Sequence, residues 1–195
     1  MAFSLTNQKI ELVQPIGFKL DSYSFGVHDV EFLANAIINE GIKTLLEVGC
    51  GISSLLLSQL CHVTTLENDP KWADKVSAAK RDIHDLDVVM WDGKKWPVKG
   101  RWDAVFIDGP EELDPEVRKK MKYVGLSREP AFQNAPDLTD RVFVHDACRF
   151  AEMMYQLSYL AKNFRVTEII KSDDWNIPRY LTAWRRIENC HKETT

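Results

Sequence analysis

The sequence lacks any apolar run of the roughly 20 residues needed to cross a bilayer, so no membrane span is expected. Its start, MAFSLTNQKIELVQP, has neither a basic cluster nor a continuous apolar stretch, and a secretory leader is not expected either. Cysteine is scarce. Cys50, Cys61, Cys148 and Cys190 form no CxxC pair and no metal-ligand spacing, which argues against a disulfide framework or a zinc site. Reduced and mostly buried thiols in a cytoplasmic protein are expected instead. An excess of positive charge is missing as well: 25 Lys and Arg stand against 29 Asp and Glu, and the basic residues are scattered. That argues against a broad nucleic-acid footprint and leaves room only for a small local patch. Repeats and low-complexity segments are absent.

What remains is an ordinary globular balance, 45% hydrophobic and 28% charged over 195 residues, enough to bury one core without covalent staples. A single domain is expected, with an N-terminal segment and helix at 1–41, a core at 42–195, and a cover at 111–140. Val30, Leu33, Ala34 and Ile37 recur at helical spacing, and Gly41 ends that helix. Beyond it, short apolar runs alternate with helical segments, the pattern of a parallel sheet wrapped by helices. The runs are Thr44 to Val48, Val63 to Leu66, Leu86 to Met90, Ala104 to Ile107 and Val142 to Val144. A helix over Ser53 to Leu60 follows the first run. Asp69 as N-cap and Pro70 at the first helical position start the next, which holds Trp72, Val76 and Ala79. After the fifth run, Phe150, Met153, Met154, Leu157, Leu160, Ala161 and Phe164 make one apolar stripe, expected to face the core. Arg165 to Ile170 and Tyr180 to Trp184, joined by SDDWNIP, should pair as an antiparallel hairpin. The stretch from Pro110 to Asp140 reads as a helix with an irregular cover over the strand ends.

Ligands of open parallel sheets bind beyond the carboxyl ends of the strands, beside the first one. Gly49 and Gly51 there allow a tight turn and a close approach to a ligand, where a Cβ would collide. Glu47 ends the first strand, where it can receive an ammonium group directly or through water. Glu67, followed by Asn68, ends the second and is placed for the two hydroxyls of a ribose; Trp91 and Asp92, after the third, suit an adenine. Each feature alone is as well explained by an ordinary turn or a solvated carboxylate. Their order along the chain is the argument. A dinucleotide fingerprint needs GxGxxG, and Ser54 stands at the last position, so a ligand without a pyrophosphate fits better.

Residues 42 to 185 resemble a class I S-adenosylmethionine-dependent methyltransferase of the O-methyltransferase type. The resemblance is carried by LLEVGCG at Leu45 to Gly51, by Glu67 in TTLENDPKW, by WDAVFIDGP and by the closing hairpin. VFVHDACR is also similar to the matching segment of glucuronoxylan 4-O-methyltransferases. The resemblance implies an α/β fold: a three-layer α/β/α sandwich around a mostly parallel seven-stranded sheet with a C-terminal antiparallel hairpin. It implies S-adenosyl-L-methionine as cofactor, held by Glu47, Gly49, Gly51, Ser53, Ser54, Glu67, Asn68, Trp91, Asp92 and Asp108.

Methyl transfer needs an aligned nucleophile and, where necessary, a base. Candidates converge after the fourth and fifth strands as Asp108, His145 and Asp146. Either acid could serve as base, or the two could hold a divalent cation. Catechol-type methyltransferases, which this region partly resembles, add an asparagine ligand where Ala147 stands here, so no metal is expected. Asp146 also suits the N-cap of the following helix. His145, its neighbour on the strand, is expected to point to the other side. Arg149 is read as the partner of a surface carboxylate, or as the receiver of an anionic substrate group. His28 reads as a helix-start residue. The Asp-Pro-Pro-Tyr type motif of amino-group methyltransferases is absent, and Asp108-Gly109-Pro110 stands in its place, which favours oxygen as acceptor.

The expected function is therefore methyl transfer to a hydroxyl oxygen of a small molecule or sugar, in a monomer or homodimer, with no nucleic-acid partner. Aminopropyl transfer, a nucleotide-dependent oxidoreductase and a non-catalytic binding relative share the fold. Retention of Glu47, Gly49, Gly51 and Glu67 speaks against the last.

Overall fold

In a computed structural model of the chain, residues 2–5, 10–13, 26–92, 95–109, 127–172 and 179–188 are described. Strands β1 (Ala2–Leu5) and β2 (Ile10–Val13) pair antiparallel as a small separate sheet, with Ala2 opposite Val13. Four-residue strands are too short for a periodicity to show, and the N-terminal stretch gave no sign of them. Helix α1 (Val27–Glu40) buries Val30, Leu33, Ala34 and Ile37, as the spacing predicts, and ends on Gly41 at φ 67, a left-handed cap.

The main sheet has seven strands: β3 (Thr44–Val48), β4 (His62–Glu67), β5 (Leu86–Met90), β6 (Ala104–Ile107), β7 (Arg141–Val144), β8 (Phe164–Ser172) and β9 (Arg179–Arg186). Their order is β5-β4-β3-β6-β7-β9-β8. The first five are parallel; β9 runs antiparallel to both β7 and β8, which closes the sheet with the expected hairpin. Side chains of a strand alternate between faces. Ala104 and Phe106 of β6 accordingly join one core with α1, α2 (Ile52–Leu57) and α3 (Pro70–Ala79). Val105 and Ile107 join a second core with α4 (Glu129–Leu138) and Leu160. Both faces are covered, so all four residues of β6 are buried. Three layers result.

Asp69 caps α3 by accepting from the Lys71 backbone N–H at 2.9 Å, as predicted. Helix α2 stops at Leu57 rather than Leu60, because its last turn tightens: Gln59 and Leu60 donate three residues back, to Leu56 and Leu57. The expectation that Cys50, Cys61 and Cys148 are mostly buried holds for Cys61 only; Cys50 is half-buried and Cys148 exposed. Cys190, Trp175 and most of the 111–140 stretch lie outside the described residues, whereas Trp184 is buried in the second core. No helix among the described residues is long and apolar enough to cross a membrane.

The apolar stripe after β7 reaches the core only at its far end, where Leu160 and Phe164 are buried. Over α5 (Phe150–Tyr155) and the π-helical turn Gln156–Leu160, the buried residues are Glu152, Gln156 and Leu160. Phe150, Met153, Met154 and Leu157 are exposed, the first by 76%. Burial of Glu152 and Gln156 is the physical reason. Gln156 accepts from Thr182 (2.7 Å) and from the Trp184 indole (3.1 Å), both on β9, and Glu152 pairs with Arg128.

Candidate active site at the strand ends

Strand order reverses between β3 and β6, the switch point where the loops after the two strands diverge. Here the backbones lie in contact. Asp108 and Gly109 donate to the Val48 carbonyl at 3.0 and 2.6 Å. Gly49 sits at φ 93, and a Cβ on it would lie 2.6 Å from the Gly109 Cα; a Cβ on Gly109 would lie 2.5 Å from that of Gly49. The Cβ forbidden at Gly49 would thus meet protein, not ligand. Gly109 is an equal partner that a glycine-turn reading anchored on residues 49–51 overlooks, although Asp108-Gly109-Pro110 carried the signal. Gly51 differs: nothing lies within 4 Å of where its Cβ would be.

Glu47 is fully buried. Its Oε1 accepts from the Ser53 hydroxyl at 2.5 Å and its Oε2 from that of Ser54, which also accepts from the Gly51 N–H at 3.0 Å. Burial pushes its pKa up to about 8, against those hydroxyl bonds and with help from nearby Asp108. Glu47 therefore pins the turn into α2. Glu67 performs the same service across the cleft, its Oε2 accepting from Cys50 N–H (2.9 Å) and its Oε1 from Asn68 and Asp69 N–H (2.7 and 2.8 Å). A carboxylate has about four lone-pair directions, and the three backbone N–H groups together with the Cys50 thiol draw on them. At the end of β5, the Trp91 ring is buried edge-on to Trp96 at 5.4 Å, and its Nε1 donates to the Lys95 carbonyl. The ring is part of the core, which leaves the backbone edge and the exposed Asp92 carboxylate on the loop.

At the ends of β6 and β7 the three catalytic candidates do come together. His145 does not point away: its Nδ1 lies 2.6 Å from Asp108 Oδ1 and 3.8 Å from Asp146 Oδ2, and its Nε2 lies 3.5 Å from Asp29 Oδ2. Burial alone would lower the imidazole pKa, but Asp108, Asp29 and Asp146 outweigh it and push it up to about 10. A histidine held as a cation is no proton acceptor at neutral pH. Asp146 does not cap α5, whose N-cap is Arg149; it sits at φ 54, unusual for a residue with a side chain. Its buried carboxylate takes Arg149 at 2.7 Å, Arg179 at 3.5 Å and Arg128 at 3.9 Å. Burial raises its pKa, yet His145 and these guanidiniums together bring it below the ordinary value. Asp29 and Arg128 are contributions that the sequence reading missed. Both lie on elements distant in the chain, and the only hint was Asp29 in the first turn of α1.

Asp108, His145 and Asp146 place one ligand atom each within 4.8 Å of one another. The imidazole Nδ1 lies against Asp108, and three guanidiniums surround the second carboxylate, so positive side chains already accompany both acids. His28, in the first turn of α1, pairs with Glu31 at 3.7 Å.

The architecture and this switch point define the fold of the class I S-adenosylmethionine-dependent methyltransferases. Solved structures that share it include the N-methyltransferase NodS from Bradyrhizobium japonicum in complex with S-adenosyl-L-homocysteine, with TM-score 0.60 and 14% identity over 87% of this chain and 91% of that one. Magnesium protoporphyrin IX methyltransferase from Synechocystis with bound S-adenosylmethionine matches with TM-score 0.58 and 13% identity, over 82% and 79% of the two chains. A methyltransferase from Pyrococcus furiosus matches with TM-score 0.57 and 16% identity, over 86% and 87%. At these identities the likeness is one of fold. No protein-family model and no curated protein matches the chain by sequence.

Proposed function

We propose that the chain is an S-adenosylmethionine-dependent methyltransferase acting on a hydroxyl oxygen of a small molecule or sugar. The observation that carries the reading is the open cradle at Gly51, flanked by the Glu67 carboxylate at the end of β4. On this reading Asn68, Asp92 and the backbone of Trp91 would receive the adenosine. Glu47, with Ser53 and Ser54, lies beneath the turn, where a ligand ammonium would meet the hydroxyls before the carboxyl. The residues present fit the group. S-adenosylmethionine supplies a methyl already activated on a cationic sulfur, so the protein's task is alignment and charge. Asp108, 23% exposed at the side chain, presents negative charge at the end of β6. His145, held as a cation, orients that carboxylate rather than accepting a proton. Arg149 and Arg179, both partly exposed, orient toward Asp146 on the acceptor side. NodS is an N-methyltransferase, so shared fold does not choose the acceptor atom; the absence of an Asp-Pro-Pro-Tyr type motif is what favours oxygen.

Calorimetric titration with S-adenosylmethionine, S-adenosylhomocysteine and NAD tests the reading. Binding of the first two and not of NAD is expected, and Glu67→Ala should abolish it. No heat with either adenosyl ligand would sink the proposal.

A further inference from the structure

Arg128 is 2% exposed, among the most buried large side chains of the protein, and it lies on the connection between β6 and β7. One guanidinium nitrogen donates to the Asp108 carbonyl at 2.8 Å; the other reaches the His145 carbonyl at 3.4 Å and Glu152 Oε1 at 3.3 Å. Asp146 lies 3.9 Å away. A single planar fork thus touches the backbone after β6, the backbone after β7, the second acid and the helix beyond. An ion pair buried to this degree costs about as much in desolvation as it returns, so stability is a poor account of it. Geometry is a better one, since a guanidinium offers five donors in fixed directions.

We propose that Arg128 is a positioning residue that sets the relative placement of Asp108, His145 and Asp146 at the ends of β6 and β7. The inward turn of Glu152 is part of the same device, because it neutralises the guanidinium without drawing on Asp108. The Asp108 carbonyl precedes Gly109, so the grip on it also seats Gly109 against Gly49. The proposal rests on the methyltransferase reading only in calling these strand ends the acceptor side.

Nuclear magnetic resonance of ring-15N histidine reports directly on the His145–Asp108 contact in the whole, ligand-free chain. Arg128→Lys keeps a charge opposite Glu152, but a single ammonium cannot span two carbonyls and two carboxylates. Arg128→Met alone would leave Glu152 buried and uncompensated, so the neutral pair Arg128→Met/Glu152→Gln accompanies it. Both variants should fold and should lower the His145 titration midpoint by more than about one pH unit relative to wild type. A role limited to charge balance would leave the midpoint of both within about 0.3 unit, and that result overturns the proposal. Titration of the wild type with S-adenosylhomocysteine separates the two readings. Failure to bind removes the methyltransferase assignment while the His145 shift still decides Arg128. Binding with an unshifted His145 removes Arg128 as positioner and leaves the assignment standing.

Discussion

The three glycines at the switch point have separable roles, because the space around each differs. Gly49 and Gly109 are pressed backbone to backbone, so a methyl group at Gly109 must displace the turn after β3. Overpacking of that kind costs about 1–3 kcal/mol or more. Gly51 has extended backbone that any residue can adopt and open space beside it. Gly109→Ala should therefore lower the melting temperature by several degrees. Gly51→Ala should leave it unchanged yet weaken S-adenosylhomocysteine binding, since its new methyl group projects into the cradle. Equal melting temperatures for the two variants would contradict this division. Glycine spacing pointed to the turn; it did not say which glycine is locked by packing and which has open space beside it, because that depends on a strand sixty residues away. Glu47, Glu67 and Asp108 were legible because each ends a strand, and strand ends can be read from short apolar runs. Arg128 and Asp29 were not, since no local pattern marks a side chain that crosses from another element.

At the scale of elements, the helix after β7 shows where periodicity misleads. Its repeat is helical and its apolar residues share a face, but from Phe150 to Leu157 that face is turned to solvent. Thr182 and Trp184 on β9 place a hydroxyl and an indole N–H in the second core, and both need an acceptor, which Gln156 supplies while donating to the Ala147 carbonyl at 3.0 Å. Burying the apolar stripe instead would orphan the Thr182 hydroxyl and Arg128, at about 1–3 kcal/mol apiece or more, and leave the Trp184 indole only its bond to Thr182. The π turn at Gln156–Leu160 carries the helix past this polar seam and returns Leu160 to the core. Leu157 is 63% exposed and Leu160 fully buried, three residues apart. Leu157→Lys should change unfolding free energy by no more than about 0.5 kcal/mol. Leu160→Ala should cost about 2–5 kcal/mol in denaturant unfolding. The reverse ranking would restore the stripe to the core. By contrast, β3, β4, β5, β6 and β7 lie within a residue of their expected bounds, because a sheet covered on both faces leaves continuous apolar runs that need no choice of side.

For the molecule as a whole, the buried charges make stability depend on pH in a direction that can be worked out. Glu47 keeps its proton in the folded state up to about 8. An unfolded glutamate ionises near its ordinary value, so between those points the unfolded chain binds fewer protons and the fold loses stability as pH rises. His145 acts in the same direction over a higher range. Its folded pKa, about 10, lies above the ordinary imidazole value, so its contribution is complete at mildly acidic pH and is lost as pH rises through 10. Asp146 and His84, both shifted down, work the other way: the Asp146 contribution is lost as acid protonates the carboxylate, and that of His84 as pH falls below the ordinary imidazole value. The melting temperature should therefore peak at mildly acidic to neutral pH and fall between 7 and 10. Each pKa unit of difference corresponds to about 1.4 kcal/mol. Glu47→Gln should flatten the part of the curve below pH 8, and His145→Gln the part from the ordinary imidazole value up to 10. His145 joins Asp29 on α1 to Asp108 just after β6, so its alkaline loss should release the N-terminal helix from the strand ends. Hydrogen exchange of the α1 amides should then accelerate between pH 8 and 10, beyond the intrinsic increase with hydroxide, in wild type and not in Asp29→Asn. Equal pH dependence in the two proteins would show that the Asp29–His145 pair does not couple α1 to the site.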